Sequence, residues 1–137
     1  MLETIRPLFI ELLVPPAVAH EISPSLVRPD WSATRQVTKP IDPRLELAGL
    51  GAGETEVIAL VMELGTHVAV LDERNARRVA SSLGVPVTGT VGLLLAAKQT
   101  GLIDSLAEAI ESLRSVDFYI SPTLILGALR TAEEANR

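Results

Sequence analysis

The sequence predicts an α/β fold with a short parallel sheet, and three observations carry that prediction. Short apolar runs, IELLV at residues 10–14 and HVAVL at 67–71, read as strands. Between them stands a longer stretch with apolar residues at helical spacing: Val57, Ile58, Val61, Met62 and Leu64. Strand and helix alternate through most of the chain, the pattern of a parallel sheet covered by helices.

Residues 1–9 (MLETIRPLF) read as the end of a helix, and IELLV as the first strand. Pro15 and Pro16 then open a helix carrying Glu21, because proline is tolerated in a first helical turn. Residues 23–42 hold three prolines and read as loop, with an edge strand at 32–38. A short helix at 45–50 precedes the central helix at 54–64. HVAVL, unbroken in its apolar character, predicts a parallel strand covered on both faces. A helix at 73–83 stops at Gly84, and residues 85–87 form a strand parallel to HVAVL by a right-handed crossover. Helices at 91–101 and 103–113 follow, then an extended segment at 118–120. Ser121 and Pro122 open a last helix reaching about Ala132.

The chain of 137 residues predicts a single domain, 1–137, and 47% hydrophobic residues suffice for one core. Only four residues are aromatic, so Leu, Val, Ile and Ala must fill that core. No cysteine is present, which excludes a disulfide framework and a thiolate metal site and fits a cytoplasmic location. His20 and His67 have no second histidine at ligand spacing, which argues against zinc. The net charge of −5 counts against simple electrostatic binding to nucleic acid. It leaves open an enzyme that meets phosphates through bound cations. No apolar run reaches the ~20 residues of a membrane-spanning helix.

The candidate chemistry lies in the carboxylates. A helix from Glu54 to Leu64 and a strand from His67 to Leu71 have similar lengths, ~16–17 Å. Joined by a tight turn at Gly65, they run antiparallel. Glu54 and Asp72 are therefore expected at one edge, beside the carboxyl end of a strand, where open α/β sheets keep their ligand sites. Glu21, Glu56 and Glu73 are the other acidic candidates. An oxygen-rich cluster suits Mg²⁺ or Mn²⁺. Each acid also has a structural reading. Glu54 and Glu56 can simply complement a helix dipole, and Asp72 can cap the helix that starts at Glu73. Spacing alone favours that structural reading. Thr88 and Thr90 fit either phosphate contacts or helix capping, and Arg74, Arg77 and Arg78 fit either phosphate contacts or a solvated helix face. LGAGETE lacks the lysine of a phosphate-binding loop.

The runs LGAGETEVIALVMELG, VAVLDERNARRVASSLGVPVTGTVGLLLAAKQTGLI and FYISPTLILGALRTA resemble an uncharacterised prokaryotic subfamily of PIN-domain proteins, toxin-like metal-dependent ribonucleases. The likeness spans nearly the whole chain, VPPAVAHEI included. It implies a three-layer α/β/α sandwich with acids at the carboxyl edge of the sheet. In that pattern Glu21 matches the second acid, Glu54 the third and Asp72 the fourth. The opening strand and its acid have no counterpart here, since Met1 falls inside what resembles the first helix. That strand would lie between IELLV and HVAVL. Either the start lies upstream, or the chain is a shortened relative with weak or no nuclease activity. The gap can also close by direct pairing of the two strands, or by a second chain.

The resemblance thus implies a Mg²⁺- or Mn²⁺-dependent endoribonuclease with catalytic Glu54 and Asp72, metal held by Glu21, Glu54 and Asp72, and phosphate contacts from Thr88, Thr90 and Arg74. RNA and an antitoxin protein are the implied partners. The alternative is a non-catalytic nucleic-acid- or protein-binding module on the same fold. A homodimer is expected, because a shortened sheet and a high apolar content leave surface to bury.

Overall fold

The computed structural model describes residues 2–22, 30–115 and 121–134. The extended segment expected at 118–120 lies outside them. The contacts gather into two compact units, residues 10–89 and residues 1–9 with 90–137.

The first unit is built as strand, helix, strand, helix. Strand β1 (Leu12–Val14) runs into helix α2 (Pro16–Glu21), and β2 (Ser32–Thr34) pairs parallel to β1 with Leu12 opposite Ser32. The short helix α3 (Pro43–Glu46) is capped by Asp42, which accepts the Arg44 backbone N–H at 2.8 Å. The central helix α4 (Ala52–Leu64) ends at Gly65, whose φ of 76° lies in the left-handed region that glycine alone adopts without strain. Strand β3 (Ala69–Val70), helix α5 (Arg74–Ser82) and strand β4 (Val87–Thr88) complete the unit. β3 and β4 are parallel, with Ala69 donating to Pro86 O and Leu71 to Thr88 O, both at 2.9 Å.

The core of this unit is aliphatic. Leu45, Ile58, Ala69, Leu71, Ala76, Ala80 and Val85 are buried around α4. HVAVL departs from its expected burial on both faces. Ala69 and Leu71 are buried, while Val68 and Val70 are 54% and 37% exposed. Successive strand side chains alternate between faces, and here only one face meets the core.

Among the described residues the strands form two separate pairs, β1 with β2 and β3 with β4. Direct pairing of β1 with β3 therefore does not close the sheet. The two pairs are joined at their starting ends instead, where His67 Nε2 and Glu11 Oε1 lie 2.5 Å apart. This is a small α/β fold with short parallel sheets, as the sequence predicts.

The second unit is helical. Helix α1 (Leu2–Ile5) leads into a 3₁₀ turn at Arg6–Leu8. Helices α6 (Thr90–Gln99), α7 (Leu106–Arg114) and α8 (Pro122–Thr131) follow, packed through Val91, Leu94, Leu106, Ile110 and Ala128. Ser105 caps α7 by accepting the Glu108 N–H, and Ser121 caps α8 by accepting the Leu124 N–H. Lys98 Nζ stands 3.5 Å from Glu134 Oε2.

Candidate functional site

The acids gather around the amino end of α4. Helix α2 packs along α4 and ends at Glu21, whose carboxylate lies over Gly53. A methyl group at Gly53 would stand 2.7 Å from Glu21 Oε1 and 3.1 Å from Oε2. Glu54, one residue along, is the third residue of α4 and reaches back to the Gly51 backbone N–H. That is half of a capping box, with a glycine where the serine or threonine usually stands. The structural reading of Glu54 is thus partly right, yet it accounts for only one oxygen. Glu54 Oε2 is buried with no hydrogen-bond partner among the described residues. An unsatisfied buried carboxylate oxygen is costly and calls for a proton or a cation.

The electrostatics agree with that geometry. Burial pushes the Glu54 carboxyl above the usual glutamate range, and the charges of Glu73 and Glu21 push it the same way. The Gly51 N–H opposes them. Glu54 and Glu73 act on each other, raising the one carboxyl and lowering the other.

Glu73, not Asp72, caps α5. Its Oε1 accepts the Asn75 N–H at 2.9 Å and its Oε2 the Ala76 N–H at 2.7 Å. These two backbone donors hold its carboxyl below the usual range, despite partial desolvation. The expected capping role of Asp72 is therefore taken by its neighbour. The Asp72 carboxylate instead faces Gly89, just past the end of β4. A methyl group at Gly89 would meet Asp72 Oδ1 at 2.9 Å, Leu71 O at 3.4 Å and Arg77 Nη1 at 3.6 Å.

The remaining candidates fall nearby in the chain with different fates. Glu56 is committed to structure, accepting the Ala17 N–H at 3.0 Å. Thr88 belongs to β4, where its carbonyl accepts from Leu71. Thr90 is the first residue of α6. Arg74 opens α5 and is exposed. Arg77, one turn further, reaches the place where Asp72 and Gly89 meet. Arg78 donates to Asn75 Oδ1 at 2.9 Å. The structure thus brings Glu21, Glu54 and Glu73 around one helix end, with Asp72 one residue before Glu73. Sequence reasoning counted Glu73 among the acids but missed its partnership with Glu54. Its position directly after Asp72, at a helix start, was the available signal.

Among the described residues, no group of three or more His, Cys, Asp or Glu is arranged to hold a metal ion. A Mg²⁺ ion ordinarily takes one or two carboxylates and fills its remaining positions with water or phosphate. The orphaned Oε2 of Glu54, the all-carboxylate donors and the bare backbone beneath Glu21 fit that lighter demand.

These features define a small α/β protein with carboxylates gathered at the amino end of its central helix. A family model described as a PIN domain matches residues 1–134, and the chain belongs to that family of nuclease type. No curated protein and no solved structure matches the chain. No helix among the described residues is long and apolar enough to cross a membrane.

Proposed function

We propose that this chain is a Mg²⁺- or Mn²⁺-dependent endoribonuclease of the PIN toxin type, acting in the cytoplasm. The observation that carries the reading is the buried Oε2 of Glu54, which has no hydrogen-bond partner among the described residues and is set among further carboxylates. Glu54 would hold the cation together with Glu21 or Asp72, and water or phosphate would fill the remaining positions. A bound divalent cation supplies an activated water and charge neutralisation at a phosphodiester. The residues do the rest. Glu54 is fixed by Gly51, so its free oxygen needs no reorientation. Glu73 keeps its charge through two backbone donors and orients beside it. Arg74 and Arg77 on α5 offer positive charge to an RNA backbone that the net charge of −5 would otherwise repel. Thr88 is a further phosphate contact in this reading.

A second reading is a non-catalytic nucleic-acid- or protein-binding module on the same fold. The absence of a ready three-ligand cluster among the described residues favours it. A homodimer is also proposed, supported by exposed Leu47, Val68 and Val70, and an antitoxin is the partner expected of a toxin.

The test is cleavage of a mixed-sequence RNA with Mn²⁺, with chelator, and in Glu54→Gln and Asp72→Asn variants. Chelator-sensitive cleavage, lost by about a hundredfold or more in both variants, is expected. RNA binding without cleavage would establish the second reading. Cleavage indifferent to both substitutions would remove the assignment.

A further inference from the structure

We propose that Gly53 and Gly89 are positioning residues, kept without a side chain so that two acidic side chains can lie against bare backbone. The inference rests on the cation-binding reading above and concerns how that site is held.

Backbone conformation does not explain either glycine. Positive φ values occur at Gly49, Gly65, Gly84 and Gly101, and at neither of these two. Gly53 also stands inside a helix, where alanine is the more favourable residue. What the two positions share is a carboxylate in the space a Cβ would fill. At Gly53 the intruding atoms are Oε1, Oε2 and Cδ of Glu21, at 2.7, 3.1 and 3.2 Å. At Gly89 the closest atom is Asp72 Oδ1 at 2.9 Å, and the next, Leu71 O at 3.4 Å, is in ordinary contact. The closest crowding atoms are side-chain atoms and not backbone: the end of Glu21, a long flexible side chain, and Oδ1 of the shorter Asp72. A methyl group would therefore leave the backbone in place and displace the acid. Gly127 supplies the contrast. It lies within α8, its φ is ordinary, and a Cβ there meets nothing within 4 Å.

The experiment compares Mn²⁺ binding by calorimetry, and thermal unfolding without metal, in the full chain and four variants. These are Gly53→Ala, Gly89→Ala, Gly127→Ala and the double variant Gly53→Ala with Glu21→Asp. Gly53→Ala and Gly89→Ala are expected to bind Mn²⁺ about tenfold or more weakly, the usual scale for losing a ligand's support. The melting temperature of Gly53→Ala should be unchanged or higher. Gly127→Ala should bind as the parent does. Shortening Glu21 by one methylene makes room for the new methyl, so the double variant should recover part of the affinity. If the parent binds Mn²⁺ and the two single variants bind it equally, the positioning role is overturned while the cation site stands. If the parent binds none, the cation reading fails and the inference with it. Weaker binding that comes with a lower melting temperature, and that Glu21→Asp does not relieve, would assign Gly53 to packing and overturn its proposed role.

Discussion

Glu56 accepts the backbone N–H of Ala17 at 3.0 Å, joining positions 39 residues apart. Ala17 lies in the first turn of α2, where Pro15 provides no side-chain cap. A carboxylate from α4 thus serves as the cap of α2, and it fixes the helix that carries Glu21.

Replacing Glu56 with alanine should cost about 0.5–2 kcal/mol, the range for a lost helix cap. Glu56→Gln should lose less, because an amide oxygen still accepts the bond without its charge. Urea unfolding curves of the two variants would check the order.

Glu54 should make the metal-free protein more stable in mild acid. Its folded pKa is raised, so between the ordinary glutamate value of 4.5 and the raised value the folded state binds more protons than the unfolded. That contribution is fully present below 4.5 and is lost as pH rises through the folded pKa. Melting temperatures from pH 4 to 8 should fall more steeply for the parent than for Glu54→Gln. Mn²⁺ at neutral pH should flatten the difference in the parent alone.

Glu73 should act with the opposite sign. Its folded pKa is depressed, chiefly by the Asn75 and Ala76 backbone donors. Its stabilisation is present above 4.5 and disappears as pH falls through the lowered value. Glu73→Ala should therefore increase amide exchange at the start of α5 at neutral pH. As pH falls through the lowered pKa, the difference between parent and variant there should vanish.

Glu134 forms a second remote cap, in the helical unit. It accepts the Leu106 N–H at 2.8 Å and the Ala107 N–H at 3.1 Å, at the first turn of α7. Burial raises its pKa, but these donors with Lys98 and Ser105 outweigh it and leave the value lowered. Glu134→Ala should destabilise by about 1–2 kcal/mol, and denaturant titration would measure it.

Most of the helices were legible because their signals are local. Pro16, Ser121 and Gly65 sit where the sequence rules place starts and stops. The strands proved shorter than their apolar runs. HVAVL keeps only Ala69 and Val70 in a ladder, because pairing depends on a partner that the run itself does not encode. Glu54 was legible as a helix-start acid near a strand end. How the neighbouring acids are held was not. That Asp72 cedes the cap to Glu73 depends on which of two adjacent carboxylates reaches the α5 amides. That Glu56 is structural while Glu54 keeps a bare oxygen depends on where α2 docks, a contact with no signature at either position.

The β3–α5–β4 segment closes its parallel pair within a short stretch of chain, between Ala69 and Thr88. Short-range closure is fast and carries a low entropic cost. Asp72, Glu73 and Gly89 can thus find their arrangement early in folding, from neighbours alone. Glu21 and Glu54 meet only when the far more distant α2 reaches α4. A nascent or partly folded chain would accordingly have only some of these acids in place, and the full set would mark the last stage of that unit's assembly.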